Sequence, residues 1–358
     1  MRKFTKAAIS FALMIGLCGC EGVSNQRTYL EGAIVPIENP AMLIDGEPIT
    51  LVYSEVNPPD TITGQLGTEF KRLVELKSSG NITVDLHYSG ELCSENDAVA
   101  HAKAGDRVVD VTRTSTLGDL DPDKCGRIDI LTLPFMFISR DHFWTFATST
   151  LAKELIDEPA KANSGIKGLM FGEEGFRCFF STTNVESAKD MKGLKFRTYN
   201  KPVMGKFLTD LRAKPVDVEF SQLKNALSDG SLDGAEQPIT NYLSNKFYIE
   251  APYLIMDNHT LGLFEICMSQ AVWDSMTDTQ KAVITSTIEE LISFNQSISA
   301  STEESTLKQL KIEGCTVIEL SDMENWERAA VDTTQYHLAG HIDDYKTIYN
   351  MRPKEETE

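Results

Sequence analysis

Arg197 is the residue of this 358-residue chain whose type and position most directly suggest chemistry. It ends the strand-like part of the stretch KGLKFRTYN (192–200), in which apolar and basic residues alternate before a turn. A guanidinium presents a rigid planar fork that pairs bidentately with a carboxylate, and each charge-assisted hydrogen bond contributes about 1.5–3 kcal/mol. The pattern suggests a carboxylate-binding arginine at a strand end, although a surface arginine in a salt bridge has the same pattern.

The motifs of common enzyme classes do not occur in the sequence. There is no HExxH, no GxSxG and no glycine-rich phosphate loop. His337 and His341 lie four residues apart in a predicted helix with Asp344 nearby, which is a spacing that could bind a metal. A solvated helix face explains these residues more simply, so the sequence predicts no catalytic residue, no metal site and no cofactor.

The charge of the chain disfavours nucleic acid as a partner. The formal net charge is −19, from 34 Lys and Arg against 53 Asp and Glu. An acidic surface repels phosphate backbones, and no basic stripe is present. An anion must therefore be attracted to Arg197 by local charges. This is feasible because salt screens the repulsion from acidic residues more than about 8 Å away.

The first twenty residues have the layout of a secretory signal. Three basic residues precede an apolar run that is too short to span a bilayer, and the run ends in Leu17-Cys18-Gly19-Cys20. This ending resembles a bacterial lipobox, with Cys18 where alanine or serine is commoner. The resemblance implies a signal peptide at 1–19, a lipidated Cys20 and a tether at 20–47. Ordinary cleavage, or Cys20 as a plain thiol, remains the alternative.

Five further cysteines lie beyond this segment, and none of their spacings is typical of zinc. Cys93 and Cys125 both fall in loop-like segments, and a disulfide between them is possible outside the cytosol. The alternative is that most of these cysteines are small buried apolar residues.

The chain from residue 48 reads as an α/β protein of about two domains. Strand and helix patterns alternate over 48–56, 64–80, 81–90, 95–106 and 107–115, which predicts a parallel sheet covered by helices. Two more strands are predicted in 166–182, and a helix capped by Ser221 follows later in the chain.

The C-terminal third is predicted to be mainly helical. Thr277 and Gln280 form a capping-box pattern, and neither glycine nor proline occurs from there to Gly314. A helix over 277–313 exceeds the usual length of about 11 residues, so it should bridge two lobes. Ser321 and Glu324 are predicted to cap a final helix that ends near Tyr349.

Several segments resemble the solute-binding proteins of TRAP transporters (tripartite ATP-independent periplasmic transporters), of the dicarboxylate-binding type. In chain order they are LVYSEVNPP, HYSGEL, ILTLPFMF, AKDMKGLKFR, VEFSQLKNALSDGSLDGAEQP, NKFY and DNHTLGLFEICMSQAVWDSM. AKDMKGLKFR (188–197) is the strongest, and the order and spacing of the set over 48–320 are specific.

The resemblance implies a fold and a function. The fold is two-lobed, like that of periplasmic binding proteins, with lobe I at 48–180 and 263–302, lobe II at 181–262 and 303–358, and a long helix spanning both. The chain is then a monomer that binds a small organic acid and passes it to a two-part membrane permease. The same fold could instead report its bound state to a membrane receptor, and an exported enzyme is a weaker alternative.

The resemblance also assigns ligand-binding residues. Arg197 holds the ligand carboxylate, Gln237 stands where the family often has asparagine, and His259 is a structural residue near the hinge. The full implied set is Arg197, Asn200, Gln237, Phe220, Arg177, Asn57, Glu95, Arg113 and Ser115. Some members carry a second arginine where this chain has Thr183. Arg113 is then the candidate for a second positive charge, which would suit a dicarboxylate or a large acidic sugar.

Overall fold

The computed structural model describes residues 44–115, 126–198, 203–338 and 340–353. Nine strands form one mixed sheet with the order β2-β1-β3-β8-β4-β7-β5-β6, and β9 pairs with β8. The strands are β1 (Ile49–Ser54), β2 (Ile82–His87), β3 (Val111–Ser115), β4 (Ile166–Ser181), β5 (Lys195–Thr198), β6 (Lys214–Asp217), β7 (Gly234–Pro238), β8 (Tyr253–Ser269) and β9 (Thr316–Ile318).

Helices cover both faces of the sheet. They are α1 (Ile62–Lys77), α2 (Glu95–Ala104), α3 (Arg140–Ala147), α4 (Thr150–Ile156), α5 (Glu158–Lys161), α6 (Val203–Asp210), α7 (Leu223–Ser228), α8 (Ile239–Ser244), α9 (Gln270–Ser275), α10 (Asp278–Ile312), α11 (Met323–His337) and α12 (Ile342–Tyr349). Short 3-10 turns lie at Gly126–Thr132, Ala188–Met191, Phe220–Gln222 and Phe247–Ile249.

The alternation at the start of the chain forms the parallel sheet that the sequence predicts. β1 pairs in parallel with both β2 and β3. Thr61 is the N-cap of α1, and its side chain accepts a hydrogen bond from the Gly64 amide. A first apolar core lies between this sheet and helices α1 and α10, with Tyr53, Phe70 and Phe264 among its buried residues. The alternation thus places the carboxyl ends of β1 and β3 at one edge of the first half.

β4 and β8 are long antiparallel strands that run through both halves of the molecule. Their first-half ends pair with each other, and β8 also pairs there with β3. In the second half, β4 pairs with β7 and β8 pairs with β9. The second half adds β5, which is parallel to β6 and β7. The result is a two-lobed α/β fold in which each half has a mainly parallel sheet flanked by helices.

The prediction of two strands in 166–182 is wrong, because β4 is a single strand of 16 residues. Its register against β8 shifts between Glu173 and Phe176, where Gly175 has a φ of +93°. A β-bulge bends a strand without ending it, and its glycine looks like a turn in the sequence.

The long helix of 277–313 is confirmed as α10, of 35 residues. Thr277 and Gln280 make the reciprocal hydrogen bonds of the predicted capping box. On its inner face, Asn295 bonds both the amide and the carbonyl group of Glu173, and Glu303 accepts from the Phe176 amide. The helix therefore holds the β4 bulge at the midpoint of the molecule.

Three predicted features of the helices are wrong. Ser221 is not an N-cap, because it lies inside a 3-10 turn and α7 begins after it without a side-chain cap. Ser321 does not cap α11; its hydroxyl donates to the Glu186 carbonyl group. The final helix is two helices, α11 and α12, separated at Gly340, whose φ of +99° is unsuited to a continuing helix.

Within the described ranges, no helix combines the length and the apolar character needed to cross a bilayer.

Candidate functional site

The register of the sheet brings the strand ends of the two halves together. Ser115, the last residue of β3, pairs with Phe264 in the middle of β8. Pro238, the last residue of β7, pairs with Arg177 in the middle of β4. Parallel strands of both halves thus end at the midsection of β4 and β8, which is where open α/β sheets bind ligands.

Arg113 lies at this edge in the first half and is buried. Its Nη1 is 2.9 Å from Glu95 Oε2, and its Nη2 is 3.4 Å from Glu55 Oε1. Glu95 is the first residue of α2, and its other oxygen accepts from the Ser115 amide at 2.9 Å. The predicted residues Arg113, Glu95 and Ser115 are therefore brought together by contacts with one another.

Glu55 is a carboxylate of this group that the sequence analysis missed. Burial raises its pKa, as do Glu174 and Glu95, while Arg113 and the Asn57 amide lower it. The Asn57 amide donates to Glu55 Oε1 at 2.8 Å. The signal in the sequence is an acidic residue directly after a buried strand, in LVYSEVN.

Arg177 lies on β4 in the second half and pairs with a buried carboxylate. Its Nε and Nη2 atoms are 2.5 and 2.9 Å from the two carboxylate oxygens of Glu236 on β7. Its Nη1 is 3.6 Å from Glu174 Oε1. The predicted site arginine thus has the two ends of its fork engaged by a neighbour that the sequence analysis did not name.

His259 continues this ionic chain. Its Nδ1 is 2.6 Å from Asp257 Oδ2, its Nε2 is 3.7 Å from Glu236 Oε2, and its ring stacks on Phe179 at 4.5 Å. Burial lowers the pKa of His259, but the carboxylates of Asp257 and Glu236 outweigh it and raise the pKa to about 9. Burial raises the pKa of Glu236, but Arg177 and His259 outweigh that effect and hold it well below its usual range.

Arg197 lies at the end of β5, as the sequence predicts, with 3% of its surface exposed. Its Nε donates to the Val218 carbonyl group at 2.8 Å, and its guanidinium lies over the Phe220 ring at 5.8 Å. A planar guanidinium stacks well on an aromatic face. Phe220 therefore orients Arg197, in addition to its predicted place as an apolar wall.

Gln237 and Arg197 lie on the same face of the second-half sheet. Gln237 pairs with Cys178, which belongs to the apolar core that Val216 and Phe220 pack against. Successive strand residues point to opposite faces, so Glu236 and its partner Arg177 lie on the other face. The predicted ligand residues of this half come from both faces of one strand edge.

The two halves touch through a pair of amides. The Asn241 side chain, in α8, lies 3.4 Å from Asn57 Oδ1, and the other end of the Asn57 amide donates to Thr63 at 3.1 Å. Asn57 is a predicted ligand residue, whereas Asn241 was not identified from the sequence. Asn241 lies in the helix that directly follows β7, four residues after Gln237, which links this contact to the β7 edge.

Several buried polar atoms at this edge have no hydrogen-bond partner among the described residues. They include Glu55 Oε2, Glu174 Oε2, Ser115 Oγ, Arg113 Nε and Thr260 Oγ1. Buried polar atoms in native proteins are almost always bonded to protein, water or a ligand. The strand edge therefore has the chemistry of a polar binding site.

Three predicted residues lie outside the described residues, namely Asn200, Cys20 and Cys125. The pairing of Cys93 with Cys125 therefore stays a prediction. Within the part of the chain that the structure describes, no group of His, Cys, Asp and Glu residues could hold a metal ion. Asp344, the acidic residue near His341, accepts two hydrogen bonds from Arg127 at 2.8 and 2.9 Å.

A family model and several curated relatives match most of the chain. The model of the DctP family, bacterial extracellular solute-binding protein family 7, matches residues 53–338. The C4-dicarboxylate-binding protein DctB of Bacillus subtilis is 26% identical over 283 residues, which are 78% of this chain and 79% of that protein. The C4-dicarboxylate-binding periplasmic protein DctP of Rhodobacter capsulatus is 25% identical over 285 residues, or 79% and 83% of the two chains.

Solved structures share the fold. A TRAP periplasmic solute-binding protein from Pseudomonas putida with bound D-glucuronate superposes with a TM-score of 0.80 at 22% identity, covering 86% of this chain and 98% of the other. One from Shewanella oneidensis with bound succinate gives a TM-score of 0.80 at 24% identity, covering 86% and 100%. At these identities the structural similarity supports the fold of this chain, including where its strands end.

Proposed function

Since this chain belongs to family 7 of the bacterial extracellular solute-binding proteins, the binding proteins of TRAP transporters, we propose that it captures a small organic acid between its two halves. As a member of that family it is an extracytoplasmic binding protein and not an enzyme. The observation that carries the proposal is the convergence of parallel strand ends from both halves on the midsection of β4 and β8, with a buried arginine on each side.

Arg197 is proposed to hold the ligand carboxylate. It lies at the end of β5, and stacking on Phe220 and its bond to the Val218 carbonyl group restrict its side chain. A preorganised guanidinium loses less conformational entropy when it binds an anion. Asn200 and Gln237 would bond the carboxylate or a neighbouring hydroxyl, and Phe220 would exclude water on one side.

Capture is proposed to close the two halves by a hinge motion. The lobes follow the division expected from the sequence, 48–180 with 263–302 and 181–262 with 303–358, except that Arg177 lies beside the second-half strand β7 and α12 packs on the first half. Among the described segments, β4, β8 and α10 cross between them. Closure removes water from the ligand and strengthens its ion pair with Arg197.

The export, the membrane attachment and the permease partner of the protein are also proposed. The chain is exported by the signal at 1–19, lipidated on Cys20 and held at the outer face of the membrane by the tether at 20–47. The closed, monomeric form would then deliver its ligand to a two-part TRAP membrane permease. Two solved structures support an acid as the cargo: the Pseudomonas putida protein has bound D-glucuronate, and the Shewanella oneidensis protein has bound succinate.

A thermal-shift screen with a panel of organic acids tests this function. A ligand that binds only the folded state, at a hundredfold excess over Kd, raises the free energy of unfolding by about 2.7 kcal/mol. We expect the shift to disappear in Arg197→Ala and to remain in Arg328→Ala, which removes an exposed arginine from α11. An acid that shifts Arg197→Ala as much as the unsubstituted protein contradicts the role of Arg197.

A further inference from the structure

The first-half side of the site is unusually acidic for a protein that binds acids. Glu55, Glu95 and Glu174 surround Arg113, and all three raise its pKa. Glu55 and Glu174 are buried together with Arg113. Within the first half, the three carboxyl groups of Glu55, Glu95 and Glu174 outnumber Arg113, the arginine that they surround.

The guanidinium of Arg113 is already held by these carboxylates. Its Nη1 bonds to Glu95 Oε2 at 2.9 Å, and its Nη2 lies 3.4 Å from Glu55 Oε1. A second ligand carboxylate at Arg113 would have to approach the oxygens of both residues. Like charges in a partly buried site repel strongly, so such a ligand group is disfavoured.

Arg177 is held in the same way. Two of its nitrogens bond to the two oxygens of Glu236, at 2.5 and 2.9 Å. Its Nη1 faces Glu174 at 3.6 Å. Neither Arg113 nor Arg177 therefore presents both arms of its fork to an incoming carboxylate.

The same side of the site offers acceptors for hydrogen bonds. Glu55 Oε2 and Glu174 Oε2 are buried and have no partner in the described part of the chain. Ser115 Oγ, at the end of β3, is likewise unpartnered there and can donate or accept. Buried carboxylate oxygens are satisfied by N–H or O–H donors, and a ligand that brings donors would satisfy them.

Building on the proposed function, we infer that the ligand is a monocarboxylic acid whose other end carries hydroxyl or ammonium donors. Its single carboxylate binds on the Arg197 side, and its donors bind Glu55, Glu174 and Ser115. This replaces the expectation that Arg113 supplies a second cation for a dicarboxylate. Glu174 and Glu55 are then specificity-determining residues, because their oxygens accept hydrogen bonds from ligand donors and disfavour a second negative charge.

Calorimetric titration with matched acids tests this inference. Erythronate and tartrate share a four-carbon hydroxylated chain, and gluconate and glucarate share a six-carbon one; in each pair the second acid has a carboxylate where the first has a CH2OH group. We expect the monocarboxylate to bind at least about tenfold more tightly than its dicarboxylate partner in the pair whose length fits.

Glu174→Gln tests the residue role, with Glu289→Gln as a control that removes an exposed carboxylate from α10. We expect Glu174→Gln to lower the preference for the monocarboxylate at least about threefold, and Glu289→Gln to leave the preference unchanged. Glu55→Gln is a second variant in case Glu174→Gln fails to fold, and melting curves of the unliganded variants show which are folded.

Tighter binding of the dicarboxylates, or binding restricted to acids without hydroxyl or ammonium groups, would overturn the inference while leaving the role of Arg197 intact. An equal effect of Glu174→Gln and Glu289→Gln on the preference would also overturn it. Binding that survives in Arg197→Ala contradicts the proposed function instead, so the two failures are distinguishable.

Discussion

The arginines of the site are held by partners that come from other elements of the fold. Arg113 and Arg197 stand near the ends of β3 and β5, whereas Arg177 lies in the middle of β4. The Arg177–Glu236 pair joins residues 59 positions apart in the chain, and it depends on the register between β4 and β7. Strand register is a tertiary property, and an acidic residue inside GAEQP gives no sign of which strand lies opposite.

The chain of Arg177, Glu236, His259 and Asp257 is a buried ionic network. Removing one partner of a buried pair leaves an uncompensated charge, which typically costs about 3–5 kcal/mol. We therefore expect Glu236→Gln to lower the free energy of unfolding by about 3 kcal/mol, measured by urea denaturation at pH 7. Glu289→Gln, which removes an exposed carboxylate, should change the free energy by less than about 0.5 kcal/mol.

Burial of Glu265 makes the stability of the folded state depend on pH. It is buried in the centre of the sheet between Thr114 and Phe171, and neither of its oxygens has a partner in the described ranges. Burial raises its pKa to about 8, with Lys167 opposing. The folded state therefore binds a proton that the unfolded state releases above its pKa of 4.5, and stability falls as the pH rises from about 4.5 to about 8.

Glu265→Gln should remove this fall in stability. Its melting temperature should match that of the unsubstituted protein near pH 4.5 and exceed it by at least about 2 °C at pH 8. Thermal melts at several pH values measure the difference, and Glu289→Gln controls for the loss of one carboxylate. A difference that is constant from pH 4.5 to pH 8 would show that Glu265 does not titrate in this range.

At the scale of elements, the sequence predicts regular periodic segments well and irregular ones poorly. α10 and its capping box were predictable because hydrophobic spacing and local capping agree. β4 was read as two strands because Gly175 resembles a turn, whereas Asn295 and Glu303 of α10 hold it as a bulge. Those residues lie more than 120 positions away, so the local pattern contains no information about them.

Asn295 is expected to be the most sensitive of these contacts. Its Oδ1 accepts from the Glu173 amide at 3.0 Å, and its Nδ2 donates to the Glu173 carbonyl group at 2.8 Å. Asn295→Ala leaves the buried Glu173 amide unpaired and its carbonyl group with a long contact of 3.5 Å to Ser299 Oγ, so it should cost about 1–3 kcal/mol in the free energy of unfolding. Gln309→Ala is the control, because it removes a half-buried amide of the same helix whose hydrogen bond to Glu313 is exposed to solvent. Equal losses in the two variants would contradict the bulge-holding role.

At the scale of the whole molecule, the C-terminal helices connect the two halves a further time. α11 packs into the second-half core through Trp326, next to Phe196 and Phe207. α12 is held to the first half, where Asp344 bonds Arg127 and the Ile348 carbonyl group lies 2.7 Å from His142 Nε2. β4, β8, α10 and the α11–α12 segment must therefore all adjust when the halves move.

These crossing segments make closure measurable as a change in shape. The bound acid adds contacts to both halves only when they are close, so it favours the compact state in proportion to its differential affinity. We expect small-angle X-ray scattering to show a smaller radius of gyration when the binding acid is present at saturating concentration. Arg328→Ala should behave in the same way, because it keeps the proposed ligand contacts, whereas Arg197→Ala should keep its unliganded radius. A radius that stays constant while calorimetry reports full binding would mean that the two halves are already held together without ligand, as the contact of Asn57 with Asn241 permits.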